Sequence, residues 1–193
     1  MILFSHPTLN ANAKALISGL FKAKILYKLY TCVAIFHGQL LDKLGEHPKL
    51  KDLKRRRLDK SWQPFTRSNS FFEFGRLLAA KLQMESLVKH EKGFFCTDKV
   101  YEAHDKWVAS NLAKAKNEGI LGVYAYEDGA LETFTNAREI GIKCLYDLPI
   151  GYWKSARLLM QNEFDINPTW ASKLIGFNDS QAKLKKKDRE LAL

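Results

Sequence analysis

The sequence predicts a doubly wound α/β fold with a mostly parallel sheet, and three observations carry that expectation. The chain opens as an apolar run, a short loop, an amphipathic stretch and a second apolar run. A further strand–helix–strand unit spans residues 121–146. With 193 residues, 46% of them apolar and 12% aromatic, the chain can bury a core without disulfides or metals to staple it.

Taken in order, MILFS (residues 1–5) is a continuous apolar run stopped by His6-Pro7, as expected of a buried parallel strand. Asn10 or Asn12 caps the helix that follows. Its apolar face is Ala13, Leu16, Ile17, Leu20 and Phe21, with Lys14, Ser18 and Lys22 opposite. LYTCVAIF (residues 29–36) is β-branched and aromatic enough for the second strand. Residues 37–70 hold Gly38, Gly45, Pro48 and Pro64 and read as a long basic connection, exposed and mobile, with one short helix. Residues 71–87 and 100–117 are helical. LGVYAY is then a buried strand, Glu127-Asp128-Gly129 the turn at its end, and Ala130, Leu131, Phe134 and Ala137 a helical stripe that Gly141 terminates. IKCLY is the next strand, and Pro149 suits the first turn of a helix reaching about residue 163.

Composition narrows the function classes. The longest uninterrupted apolar run is Cys32–Phe36, far short of the roughly 20 residues a membrane helix needs. Met1-Ile-Leu-Phe has no positive region before it and Pro7 follows too soon for a secretory leader. Cys32, Cys96 and Cys144 are widely spaced in apolar surroundings, which predicts reduced thiols and a cytoplasmic setting. No Walker A loop, GxGxxG, HExxH, CxxC or GxSxG occurs.

The net charge of +10 is concentrated. Residues 49–60 carry a local +5 and residues 183–190 a local +3, while residues 121–150 carry −3. Each basic run is either a solvated face or a docking surface for an anionic membrane or a phosphorylated substrate; a nucleic-acid partner is the alternative. Aromatics beside Arg67 and Arg76 lack the strand pattern of a nucleic-acid reader, so that alternative is disfavoured.

Open α/β sheets bind ligands beyond the carboxyl ends of their strands. His6 and Asn10 follow the first strand, Tyr126, Glu127, Asp128 and Gly129 the central one, and Asp147 the next. Tyr152 and Trp153 fall in the helix that Pro149 begins. Each has a plainer reading: a satisfied strand-end histidine, helix-dipole or turn carboxylates, and packing aromatics.

Several stretches resemble one enzyme group. ILFSHPTLNANAKAL, VYAYEDGALETFTNAREIGIKCLYDLPIGYW, NPTW and GFNDSQAKLKKKDREL are similar to the N-terminal half of GT-B-fold, family-4-type (group 1) bacterial glycosyltransferases. The resemblance implies a Rossmann-like three-layer domain that binds the acceptor in a retaining transfer from a nucleotide-sugar, with no metal and no cofactor. It places His6 and Asn10 in the cleft loop, where Leu9 stands for the family's usual glycine. It assigns sugar-hydroxyl contacts to Glu127, Asp128 and Asp147, counts Tyr126, Gly129 and Trp153 among the acceptor-binding residues, and names no catalytic residue. The family's donor-binding half carries an E-x7-E motif, and no glutamate pair here has that spacing. Residues 1–193 are therefore expected to be a single acceptor-side domain, inactive until a donor-binding domain or chain joins it. Alternatives are a basic nucleic-acid module and a non-catalytic remnant that pairs with another chain. Lys49–Lys60 and Lys183–Arg189 would hold the protein at the inner membrane face.

Overall fold

The computed structural model describes residues 1–47, 53–149, 151–171 and 179–193. Its elements are β1 (Ile2–Ser5), α1 (Ala11–Lys22), β2 (Leu26–Thr31), α2 (Leu40–Leu44), β3 (Thr66–Ser68), α3 (Phe71–Lys81), α4 (Glu85–Val88), α5 (Thr97–Asn117), β4 (Gly122–Tyr126), α6 (Leu131–Glu139), β5 (Lys143–Asp147), α7 (Trp153–Ile166), α8 (Pro168–Ala171) and α9 (Gln181–Ala192). A 3-10 helix at Lys60–Phe65 leads into β3. The five strands form one parallel sheet in the order β3-β2-β1-β4-β5. The α/β class and the Rossmann-like layering expected from the sequence are what the chain adopts.

Alternation along β1 builds both layers. Leu3 points into a cluster with Val108 and Leu112 of α5 and Phe134 of α6. Phe4 points the other way, against Ala13 and Ile17 of α1 and against Leu29 and Trp62. A third cluster, Cys32, Val33, Ile35, Leu53 and Val100, closes over the carboxyl side of β2. Burying these apolar side chains is the main force holding helices to sheet.

Asn10 caps α1 as expected, its Oδ1 accepting from Ala13 N at 2.8 Å. Asn10→Ala should cost about 1 kcal/mol in a denaturant titration, the usual loss for a cap. Gly141 adopts φ +70 after α6, the left-handed conformation that a C′ glycine supplies.

Four expectations are corrected. β2 ends at Thr31, because Cys32–Phe36 leaves the sheet to fill the third cluster; the run is apolar since it is buried, without being strand. The connection at 37–70 is not an exposed mobile loop over its described part. Leu53, Arg56, Leu58 and Trp62 are buried, and Thr66–Ser68 pairs with β2 as the edge strand. Residues 71–87 are two helices, broken where Gln83 takes φ +56. The helix expected from Pro149, α7, begins at Trp153, after Pro149 has already passed in a turn.

Candidate functional site

The strand order reverses between β1 and β4: the chain proceeds outward through β2 and β3, then returns to place β4 on the opposite side of β1. At such a switch point the loops after the two strands diverge and leave a crevice. Here the loop after β1 supplies His6 and the turn after β4 supplies Tyr126. The two rings meet with centroids 4.2 Å apart.

His6 is 1% exposed. Its Nδ1 accepts from Leu9 N at 3.0 Å and from Thr8 N at 3.3 Å, so the proton of the neutral ring sits on Nε2. Among the described residues Nε2 has no hydrogen-bond partner. Burial pulls the imidazole down to about 4. The same hydrogen bonds explain Leu9, which holds φ +53 without being a glycine. His6 fixes the Leu9 N–H and its buried side chain anchors the turn, which offsets the left-handed strain.

Behind His6 lies a second buried histidine. His104 of α5 meets Ser5 Oγ through Nε2 at 3.0 Å and Cys32 Sγ through Nδ1 at 3.7 Å. Burial, helped by His6, lowers it to about 3. Burial raises the Cys32 thiol to about 12, which makes it a packing group and a poor nucleophile.

The turn after β4 is the acidic side of the crevice. Asp128 takes φ +68, its N–H donating to Glu190 Oε2 at 2.9 Å and its carbonyl accepting from Lys186 Nζ. Glu127 is 5% exposed and faces Lys187 Nζ at 3.3 Å. Burial raises the Glu127 carboxyl, and Lys187 only partly counters that. Asp128 Oδ2 stands 3.6 Å from both Lys183 and Lys187 Nζ. Burial disfavours the Lys183 ammonium, but Asp128, Asp98 and Asp179 outweigh it and hold its pKa above the ordinary lysine range. A cleft of about 210 Å³ remains between Tyr101, Tyr126, Glu127, Asp128 and the two lysines. Carboxylate acceptors beside ammonium donors on a tyrosine wall suit a hydroxylated polar ligand.

The predicted site residues thus divide. Tyr126, Glu127 and Asp128 line the crevice, and His6 lies buried against the Tyr126 ring. Gly129 borders it, and a Cβ there would meet Tyr101 and Pro7 at ordinary contact distances of 3.6 and 3.7 Å. Asn10 lies on a different cleft, around α1. Asp147 is not in the lining of the crevice; it accepts from Tyr124, which shares a face of β4 with Tyr126. Trp153 donates to Asp188 of α9 at 2.7 Å, with Lys154 and Arg157 over its ring.

Sequence reasoning missed Tyr101, Lys183 and Lys187. The i, i+4 spacing of the two lysines was visible, but their acidic counterpart is more than fifty residues away. The basic run at 183–190 is only partly a surface feature: Lys183 and Lys187 side chains are 16% and 10% exposed, while Lys185 and Arg189 face solvent. In the other run Arg56 is buried, and Lys49 and Lys51 lie outside the described residues.

His90, Glu91 and Asp179 bring three ligand atoms within 4.8 Å of one another, a spacing that could hold a metal. Lys183 Nζ already stands 3.1 Å from the same Asp179 Oδ1 and 2.8 Å from Asp98, supplying the positive charge a metal would bring. Among the described residues no helix is long and apolar enough to cross a membrane. The chain matches no family model, no curated protein and no solved structure.

Proposed function

We propose that the β1–β4 crevice binds a glycosyl acceptor and that this is the acceptor-side domain of a retaining, nucleotide-sugar-dependent glycosyltransferase. The observation that carries the reading is the meeting of His6 and Tyr126 at the sheet's switch point, beside the Glu127–Asp128 turn. The sequence resemblance points the same way. In this reading Glu127 and Asp128 accept hydrogen bonds from sugar hydroxyls, and buried His6 backs the Tyr126 ring that walls the cleft. Transfer requires a donor-binding domain, and exposed basic residues such as Lys185 and Arg189 favour approach to an anionic membrane.

Saturation-transfer NMR against a panel of mono- and disaccharides tests the binding half. At least one sugar should bind, and Glu127→Gln with Asp128→Asn should weaken it about tenfold. Co-expression with a donor-binding domain, followed by transfer of labelled sugar from nucleotide-sugars, tests the rest. No sugar bound and no sugar transferred would end the proposal.

A further inference from the structure

β5 ends the sheet on one side, so its outer edge pairs with no strand among the described residues. A strand of a parallel sheet is ordinarily covered on both faces. Here none of the five residues of β5 is buried, whereas Leu3 and Phe4 of β1 and Val123 and Ala125 of β4 are fully enclosed. Phe134 of α6 meets Tyr146 on one face of β5. On the other face Lys143 is exposed and Leu145 is 42% exposed.

The backbone of β5 points two ways. Lys143 N donates to Leu121 O at 3.0 Å, and Asp147 O accepts from Glu127 N at 3.0 Å. In a parallel ladder this directs the N–H and C=O groups of Lys143, Leu145 and Asp147 toward β4. Those of Cys144 and Tyr146 therefore point away from the sheet, and among the described residues they have no backbone partner. The side chains carry a second pattern. Lys143 stands two residues before Leu145 and Asp147 two residues after it, all three on one face, so the strand is charge-complementary to its own reversed copy. The Lys143 ammonium has no ion-pair partner among the described residues, and Asp147 uses one carboxylate oxygen to accept from Tyr124.

We propose that two copies of this chain pair through β5, antiparallel and about a two-fold axis at Leu145, joining two five-stranded sheets into one. Cys144 then lies opposite the partner's Tyr146, and each such pair exchanges both of its outward backbone hydrogen bonds. Leu145 meets the partner's Leu145 as a non-hydrogen-bonded pair, where side chains approach most closely. Lys143 faces the partner's Asp147, twice by symmetry. An axis at Cys144 or at Tyr146 would also pair the outward backbone groups, but it would set Lys143 or Asp147 against the partner's Leu145. A lysine on a bare edge strand ordinarily discourages pairing. With an aspartate four residues on, it selects this register instead. The inference stands on β5 alone and does not depend on sugar transfer.

Sedimentation equilibrium of the full chain tests it. A species of twice the 22.1 kDa chain mass should appear, half-populated at a concentration on the order of 10–100 µM. Lys143→Glu and Asp147→Lys should each weaken dimerisation about tenfold or more, because like charges then oppose each other on both sides of the axis. Mixed in equal amounts, the two variants should dimerise at about the native affinity, since one edge is then wholly acidic and the other wholly basic. Leu145→Arg, at an exposed site, sets like charges on the axis itself and should also abolish the dimer. A native chain that stays monomeric to about 0.5 mM, single variants that dimerise like the native chain, or an equimolar mixture no tighter than its components would each overturn the proposal. So would a dimer that survives Leu145→Arg.

Discussion

Between pH 7.5 and pH 5 the two buried histidines should remove about 4 kcal/mol of stability. His6 and His104, at about 4 and about 3 in the folded chain, start from an unfolded value of 6.5. The unfolded chain therefore takes up protons below pH 6.5 that the folded chain refuses, and stability falls with pH. Each histidine has about 1.5 pH units of that gap open at pH 5, at about 1.4 kcal/mol per unit, or about 2 kcal/mol apiece. The loss continues to about pH 4 for His6 and about pH 3 for His104. Asp105, Glu127 and Glu190 work in the opposite direction, because burial raises their carboxyls and the folded state protonates them first. The histidine share is isolated by urea unfolding across the pH range in the native chain and in His6→Asn, His104→Gln. The double variant should show a slope flatter by about 4 kcal/mol over the interval. Equal slopes would show that the imidazoles are not the groups kept neutral.

Glu73→Ala should be the most damaging single substitution, at about 3–5 kcal/mol. Burial pushes the Glu73 carboxyl up, yet Arg76 and Arg56 outweigh it and hold it below the usual range. Removing it leaves Arg56, with a side chain 10% exposed, and the half-buried Arg76 without their shared counter-ion. The loss is larger than for an ordinary surface pair because the Arg56 guanidinium cannot rehydrate without opening the packing around residues 53–56. Glu73→Gln keeps the shape and should fall between the native chain and the alanine variant. A midpoint shift equivalent to less than about 1 kcal/mol for Glu73→Ala, the size of a surface pair, would rule out this role.

How far the fold could be read depended on whether a segment's apolar pattern had one cause. β1, α1, β4, α6 and β5 each carry a single periodicity and a local stop signal, so their places followed from residues such as Pro7, Asn10 and Gly141. β3 is three residues, Thr66–Ser68, beside Pro64 and Arg67, and nothing local marks it as strand. It is made by its neighbour β2 and by the turn before it, where Thr66 Oγ1 donates to Trp62 O at 2.9 Å. β2 includes Lys28, while the more strand-like Cys32–Phe36 is held off the sheet by Leu53 and Val100. The carboxyl rim was legible because strand ends fix where His6 and Tyr126 go. What neutralises that rim was not, since Lys183 and Lys187 reach it only through the docking of α9.

α6 shows what such docking means for a unit that looks local. Ala130, at its N-cap, makes no side-chain cap hydrogen bond. Its entry is held by carboxylates from elsewhere: Asp105 accepts from Glu132 N and Thr133 N, 27 and 28 residues away, and Glu190 from Asp128 N and Ala130 N, 62 and 60 residues away. The strand–helix–strand unit that looks most self-contained in the sequence therefore owes its helix entry to two other helices, α5 through Asp105 and α9 through Glu190, and it is not an autonomous piece of the fold.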